Sequence, residues 1–521
     1  MDTKALRQKV LDLAIRGKLV PQDPNDEPAS VLLARIRQQK QQMVKDGKLK
    51  AKDIKNDTII FVGEDNLHYE KFADGSVKCI EDEIPFDLPE GWAWVRLSSI
   101  ADMALGKMLD VAKNRGSLRP YLRNINVRWG AFELSDILEM RFEYDELERY
   151  SIRHGDLVIC EGGEPGRCAV WQSEEVVFYQ KALHRVRAIE VLPEYLYYVI
   201  RHFIISTQYE RYYTGTTIKH LTGQSLRILP IPLPPTSQQQ SIVKRLQQII
   251  DEIDRIEAEK TDAQSLVALA KSKILDLAIR GQLVPQNPTD EPASVLLERI
   301  RAEKEELIRQ GKTKRDKKES IIFRGEDNSY YLRTGELVES LEDWAFEELP
   351  DSWSVCCLGE LCDYGNCTNV DTADIADSAW ILDLEDIEKD SGVVLQKVRK
   401  AERNAASTKH LFHKGQVLYS KLRPYLNKVV LADEDGYCTS EILPLEFERN
   451  ILPQYARYYL MSPAFLRYAN KCSYGVKMPR LGTADGKKAI ISVPPLEEQK
   501  RIIIAIEQVF SQLASITENL S

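Results

Sequence analysis

The 521-residue chain contains no Gly-x-Gly anywhere. That removes the usual glycine loops through which backbone cradles a dinucleotide or S-adenosylmethionine. There is no Walker A loop and no Asn/Asp-Pro-Pro-aromatic tetrapeptide of the amino-methyltransferases. The only Pro-Asp is Pro350-Asp351, with no acidic-x-Lys in the following 40 residues, so the common nuclease core has no support. No apolar run approaches the ~18–20 residues that span a bilayer. The opening "MDTKALRQKV" lacks the apolar stretch of a secretory signal. The nine cysteines are odd in number and irregularly spaced, which suits a reducing cytoplasm better than a disulfide framework. There is no excess of positive charge either: 71 Lys and Arg face 80 Asp and Glu, a net charge of −9. That weighs mildly against a nucleic-acid partner, although DNA responds to the local surface and not to the sum.

What the chain does have is a long repeat. "LDLAIRGKLVPQDPNDEPASVLL" (Leu11–Leu33) returns as "LDLAIRGQLVPQNPTDEPASVLL" from Leu275, an offset of 264. "FVGEDN" from Phe61 returns as "FRGEDN" from Phe323, and "DLPEGWAWVRLSSI" from Asp87 as "ELPDSWSVCCLGEL" from Glu348. "PEYLYYVIRHF" from Pro193 matches "PQYARYYLMSPAF" from Pro453. "LPPTSQQQSIVKRLQQI" from Leu233 matches "VPPLEEQKRIIIAIEQV" from Val493, with the offset now 260. A period this long means duplicated domains, not a solenoid. Between the matched flanks, about residues 100–190 and 360–450, the two halves hardly resemble each other. A duplicated frame carrying diverged inserts is what two similar scaffolds with two different readers would produce.

The frame includes a sustained helical seam. Ile242, Leu246, Ile249, Ile253, Ile256, Lys260, Ala263, Val267, Ala270, Ile274 and Leu277 follow strict 4–3 spacing, and all but Lys260 are apolar. The spacing predicts one helix over about 241–280, roughly 60 Å long at 1.5 Å per residue. Shifted by 260, Ile502, Ile506, Val509, Leu513 and Ile516 fall on the first half of this seam. Shifted by 264, Leu6, Val10 and Leu13 fall on the second half, with Thr3 one position further. The expected partner is therefore the same helix cut in two, with residues 1 and 521 meeting at the cut. After each copy of the long repeat comes a charge-rich helix, read as a solvated face. A hairpin signal follows at Asp74-Gly75 and Thr334-Gly335.

Cys356, Cys357, Cys362 and Cys367 cluster, but without Cys-x-x-Cys and with no cysteine in the matching first-half segment. They read as buried thiols, with no metal site expected. His410-x-x-His413 reads as incidental. "EGGEPGR" (Glu161–Arg167) follows an apolar run and precedes "CAVW", so it reads as a strand–turn–strand and not a phosphate loop. No catalytic residue emerges. Basic residues concentrate in the inserts. Lys107–Arg128 holds six Lys or Arg against one Asp, with Asn124 and Asn126 among them. "SKLRPYLNK" (Ser420–Lys428) has three basic residues and no acid, and "GVKMPRLGTADGKK" from Gly475 has four against one. Arg can donate twice to guanine and Asn can pair bidentately with adenine, while Lys holds phosphate. The candidate DNA-binding set is Lys107, Lys113, Arg115, Arg119, Arg123, Asn124, Asn126, Arg128, Arg167, Lys219 and His220. In the second half it is Lys421, Arg423, Tyr425, Asn427, Lys428, Lys477 and Arg480.

These motifs together resemble the specificity subunit of type I restriction-modification systems. "LDLAIRGKLVPQ" with its repeat, "LPEGWAWVRL", "GDLVICEGGEPGR", "SKLRPYLNK" and "PLPPTSQQQSIVKRL" with "VPPLEEQKRIIIAI" carry the resemblance, which covers essentially the whole chain. It implies an α+β fold: two mixed α/β target recognition domains joined by a long antiparallel coiled coil, pseudo-two-fold and circularly arranged. The expected segments are 1–85, a first helix and lead-in; 86–235, the first recognition domain; and 236–346, the helical spacer and second lead-in. The second recognition domain takes 347–495 and the closing helix 496–521. The resemblance further implies a cytoplasmic, non-catalytic subunit that reads a bipartite asymmetric site on double-stranded DNA, with no membrane partner. Two modification subunits would carry S-adenosylmethionine and two restriction subunits ATP and Mg, leaving no cofactor in this chain. The alternatives are a coiled-coil adaptor that binds no DNA and a self-contained restriction or methylation enzyme. The diverged basic inserts argue against the first, the missing cofactor loops against the second.

Overall fold

The computed structural model describes residues 2–55, 57–110, 112–311, 320–325, 327, 329–341, 349–403 and 407–520. Met1 and Ser521, expected to meet at the helix cut, and parts of the second "GEDN" and "ELPDSW" repeats lie outside the described residues. The chain divides into two units, 1–259 and 260–521.

The first unit opens with a helix over Thr3–Ile15, capped by the Asp2 carboxylate accepting from Ala5 N at 2.9 Å. The helix stops because Gly17 adopts φ +68°. A Cβ there would stand 2.5 Å from Pro89 and 3.0 Å from the Trp92 ring, so glycine is required twice over. The chain then folds back: Gln22 Nε2 donates to Gly17 O, Trp92 Nε1 donates to Gln22 Oε1, and the same indole donates at 2.7 Å to Gln238 at the start of the long helix. The second unit repeats the arrangement. Gly281 at φ +69° lies against Pro350 and Trp353, and Gln286 donates to Gly281 O and to Glu498. The repeated "RG-x-LVPQ" is thus a clasp that fastens a helix end to the start of each insert and to a frame helix.

The long helix runs Thr236–Ile279 as predicted. Each of the eleven seam positions is buried or half-buried, while Leu266 and Leu269 off the seam are exposed. Within the first unit Arg7 bridges to Asp254 and Glu257, while residues 22 and 26 lie by Gln238 and Ser237 through Trp92 and a direct hydrogen bond. The Thr3–Ile15 helix therefore runs opposite to this stretch. Its Val10, Leu11, Ala14 and Ile15 share one core with Ile242 and Leu246. Within the second unit the helix Leu496–Leu520 does the same: Lys271 sits 5.6 Å over the Phe510 ring, and Arg501 pairs with Asp290 at 2.6 Å. One seam residue departs from expectation. Ile516 is exposed, and Thr517 and Leu520 take the covered positions there.

The charge-rich helices Ala29–Lys45 and Ala293–Arg309 are less solvated than expected. Each buries three large apolar residues, Leu32, Leu33 and Ile36 or Leu296, Leu297 and Ile300. Each of the expected hairpins forms the second turn of a three-stranded sheet, 59–62/68–71/77–79 and 320–324/330–334/337–340.

Each insert is closed at its base by a two-stranded ladder, Ala93–Arg96 on Pro230–Leu233 and Ser354–Cys357 on Ile490–Val493. Inside, the diverged sequences share a topology. Strand Val177–Tyr179 pairs in parallel with Ser117–Leu122, and Gly436–Thr439 pairs in parallel with Trp380–Leu382. Leu157–Cys160 sits between Cys168–Val170 and Leu183–Ala188, as Val417–Ser420 sits between Val429–Leu431 and Ile442–Leu445. The equivalence continues in a 3-10 turn. Asn126 Oδ1 accepts from Arg123 N at 2.9 Å in one unit, and Asp386 Oδ2 accepts from Asp383 N at 2.8 Å in the other. Both side chains are fully buried.

Candidate nucleic-acid interface

In each unit three loops converge on the same place. The first is the turn after Leu157–Cys160 or after Val417–Ser420, residues 161–167 or 421–428. The second is the connection before Leu183–Ala188 or Ile442–Leu445. The third is a hairpin over 214–220 or 474–480. Backbone hydrogen bonds tie them identically. Glu161 N donates to Ala182 O and Leu221 N to Glu161 O; Lys421 N donates to Glu441 O and Leu481 N to Lys421 O. Side chains at these matched positions differ sharply: the first turn carries Glu161 and Glu164, the second Lys421 and Arg423. The "EGGEPGR" segment is the strand–turn–strand that its flanks predict.

The candidate basic residues divide into those the fold consumes and those it leaves free. Lys107 belongs to the first group, contrary to the expectation that it meets DNA. It is buried, and its ammonium is held by Glu143 and Glu146, which in turn keeps the Glu143 carboxyl well below the usual range. Asn126 is also withdrawn from the set, since its amide donates to Glu133 O and Asp136 O while its oxygen holds the turn. Arg167 and Lys428 are structural counterparts: Arg167 Nη2 donates to Asn124 O at 2.9 Å, and Lys428 Nζ to Leu384 O at 2.6 Å. Burial pushes the Lys428 ammonium pKa down. Arg480 is paired with Glu441, which raises its pKa, and Arg123 with Asp136. Asn427 donates to Met461 O, Asn124 to Gly162 O, and Lys219 lies 3.4 Å from Glu210. His220 is exposed, its ring against the Gly162 backbone.

Arg115, Arg119 and Arg128 are exposed, and no side-chain hydrogen bond holds them among the described residues. Lys113 is exposed with one loose pairing to Asp110 at 3.4 Å. In the second unit Lys477 and Tyr425 are exposed, Lys421 and Arg423 half-buried, again with no side-chain hydrogen bond among the described residues. Arg423 is held at φ +50°, with its Nε buried and unbonded, and Asn427 is at φ +48°. Buried polar atoms without a hydrogen bond gather here in both units: Arg123 Nε, Asn124 Oδ1 and Arg167 Nε in one, Arg423 Nε and Asn427 Oδ1 in the other. Such atoms are costly unless another group satisfies them. Lys181, exposed in the second loop, belongs by position to this surface; as an isolated lysine it carried no signal in the sequence.

All nine cysteines are unpaired, and six are buried. Burial pushes the Cys357 thiol up to about 12 and Cys160 to about 11, and holds Cys168, Cys356, Cys362 and Cys438 well above the ordinary thiol range. Among the described residues no group of three or more His, Cys, Asp or Glu could hold a metal ion, and no helix is long and apolar enough to cross a membrane.

Comparison with known proteins places this geometry. The specificity subunit of the type I restriction enzyme EcoAI, from Escherichia coli, is 29% identical over 415 residues, covering 70% of this chain and 63% of that protein. The EcoEI specificity subunit, also from Escherichia coli, is 29% identical over 408 residues, covering 69% and 61%. The chain thus spans about three-fifths of the length of these two relatives. A chain solved in work on complex assembly and conformational transition of the type I R-M system superposes with a TM-score of 0.56 at 17% identity, over 84% of this chain and 94% of that one, which speaks to the fold. The family described as type I restriction modification DNA specificity domain matches residues 89–263 and 350–521. The chain belongs to that family.

Proposed function

We propose that this chain is the DNA-reading subunit of a type I restriction-modification enzyme, each insert reading one half of a bipartite, asymmetric site. The observation that carries this is the pair of three-loop sites: the same backbone hydrogen bonds in both units, with different side chains mounted on them. One frame with two faces reads two different sequences. The free residues Arg115, Arg119 and Arg128, with Lys113, would serve one half-site. Lys421, Arg423, Tyr425 and Lys477 would serve the other. Arg167, Asn124, Asn427 and Lys428 would position the loops from behind.

The seam is read as an antiparallel coiled coil in a pseudo-two-fold, circular arrangement, with the helices as spacer and as docking surface for two modification subunits. Those subunits would bring S-adenosylmethionine, and two restriction subunits ATP and Mg, in the cytoplasm. The missing glycine loops support a chain with no cofactor of its own.

Co-expression with the modification subunit, followed by methylation-sensitive sequencing of the host, tests the reading. The expected result is a single bipartite motif. Lys421→Ala should relax one half-site and Arg119→Ala the other, by roughly 1–3 kcal/mol for a base contact. Equal loosening of both half-sites by either substitution would refute the division of labour.

A further inference from the structure

The hairpins 214–220 and 474–480 carry more than their basic residues. Thr214 and His220 exchange backbone hydrogen bonds at 2.9 Å in both directions, and Tyr474 pairs with Arg480. Each turn opens on a left-handed glycine, Gly215 at φ +90° and Gly475 at φ +103°. A Cβ on Gly215 would lie 2.3 Å from Ile218 O, and one on Gly475 3.1 Å from Met478 O, so both turns are tight. Their roots are fixed: Leu221 and Leu481 are buried, and Arg423 N donates to Pro479 O at 2.7 Å. Yet the tips present apolar side chains to solvent. Ile218 is 65% exposed and Met478, at the matching position, 48%; Tyr474 is 63% exposed and Val476 wholly so.

A solvated turn is ordinarily built from Gly, Asn, Asp, Ser or Pro. Here the same tip position is apolar in both units, on an anchored loop, with basic side chains beside it: Lys219, 3.4 Å from Glu210, in one, and in the other exposed Lys477 together with Arg480, which Glu441 holds. Cations flanking an apolar tip fit a duplex, whose phosphates take the charge and whose stacked bases take the apolar group. A protein partner offers no equivalent reason for the basic flank, nor for the tip's attachment to the loops that carry the readers.

We propose that Ile218 and Met478 are wedges, each inserted at a base step of one half-site so that neighbouring bases unstack toward the reader loops. This rests on the DNA-reading function above. The test uses the chain assembled with its modification subunit, on duplexes of the mapped site with 2-aminopurine walked through each half-site. Met478→Ala should remove fluorescence at one position of one half-site and weaken binding by about tenfold, the worth of burying such a side chain. Ile218→Ala should do the same in the other half-site. Neither removes a charge, so the salt dependence of binding should keep its slope, whereas Lys477→Ala should lower it by about 0.9.

If the complex binds and methylates its site but wild type and both alanine variants give the same fluorescence at every position, the wedge is wrong and the reading function stands. A complex that binds no DNA sequence overturns the reading function itself. Loss of the modification subunit from Met478→Ala on gel filtration would assign the tip to a protein interface and overturn the proposal.

Discussion

At the scale of single residues, charge is a poor guide to availability. Lys107 and Arg119 lie 12 positions apart in the same basic stretch, yet one is clamped between two carboxylates and the other is free in solvent. Asn126 is the sharper case, since its counterpart Asp386 makes the same turn with an acid. Asn126→Ala should cost about 1–3 kcal/mol, the loss for a buried group whose partners go unsatisfied. It should lower the melting temperature and leave the salt slope of DNA binding unchanged; Arg119→Ala should leave melting alone. Two histidines of the first unit add a pH dependence. Burial depresses His184 and His202 below the ordinary 6.5, and for His202 the attraction of nearby Asp12, opposed by Arg16, offsets this only in part. The unfolded chain therefore takes up protons that the fold refuses. Their contribution to stability is intact above about pH 6.5 and is lost as pH falls below it, by up to about 1.4 kcal/mol per pH unit for each group. His202→Gln should flatten the acid limb in urea melts; an unchanged acid limb would show that other groups govern it. The matching position in the second unit is Ser462, so that unit lacks this one of the two penalties.

At the scale of elements, the long helix is the part most open to a length change. Seven residues inserted at Ala263 preserve the heptad register and add about 10 Å of helix. At 3.4 Å per base pair that is about 3 base pairs of spacer. Methylation mapping of the insertion variant should return both half-sites unchanged with a longer gap, and an active variant that keeps the original gap would show that another element sets it. The helix was legible because its pattern is local: 4–3 spacing holds over eleven positions, and offsets of 260 and 264 single out the two segments that repeat it. Ile516 broke the pattern: near the chain end the covered positions shift by one, to Thr517 and Leu520. The inserts were not legible. Their common topology is held by pairings such as Phe178 with Tyr121 and Tyr437 with Ile381, more than 50 residues apart, and any residue that fills a pleat can make them. The free and the consumed basic residues could not be separated for the same reason: Glu143 and Glu146 reach Lys107 across 36 and 39 residues.

At the scale of the whole molecule, an acidic chain is proposed to bind an acidic polymer. The charge of −9 is spread over a frame and two inserts, and the insert faces carry the exposed cations Lys113, Arg115, Arg119, Arg128 and Lys477. The isolated chain should therefore bind DNA weakly at physiological salt, with the assembled complex supplying the rest of the phosphate contacts. It should also transfer nothing when incubated alone with labelled S-adenosylmethionine and DNA; methylation by the pure chain would contradict a subunit without a cofactor loop. The burial of the thiols has a practical consequence. Of nine cysteines only Cys79, on the strand Val77–Cys79, is exposed, while the other eight are buried or half-buried with raised pKa values. Since the thiolate is the reactive form, brief maleimide treatment at neutral pH should add one dye per folded molecule, read as a single mass increment, and up to nine in urea. The native sequence thus comes with its own attachment point for a fluorophore, from which energy transfer to a labelled duplex end could follow the chain's position on DNA without a single cysteine being replaced.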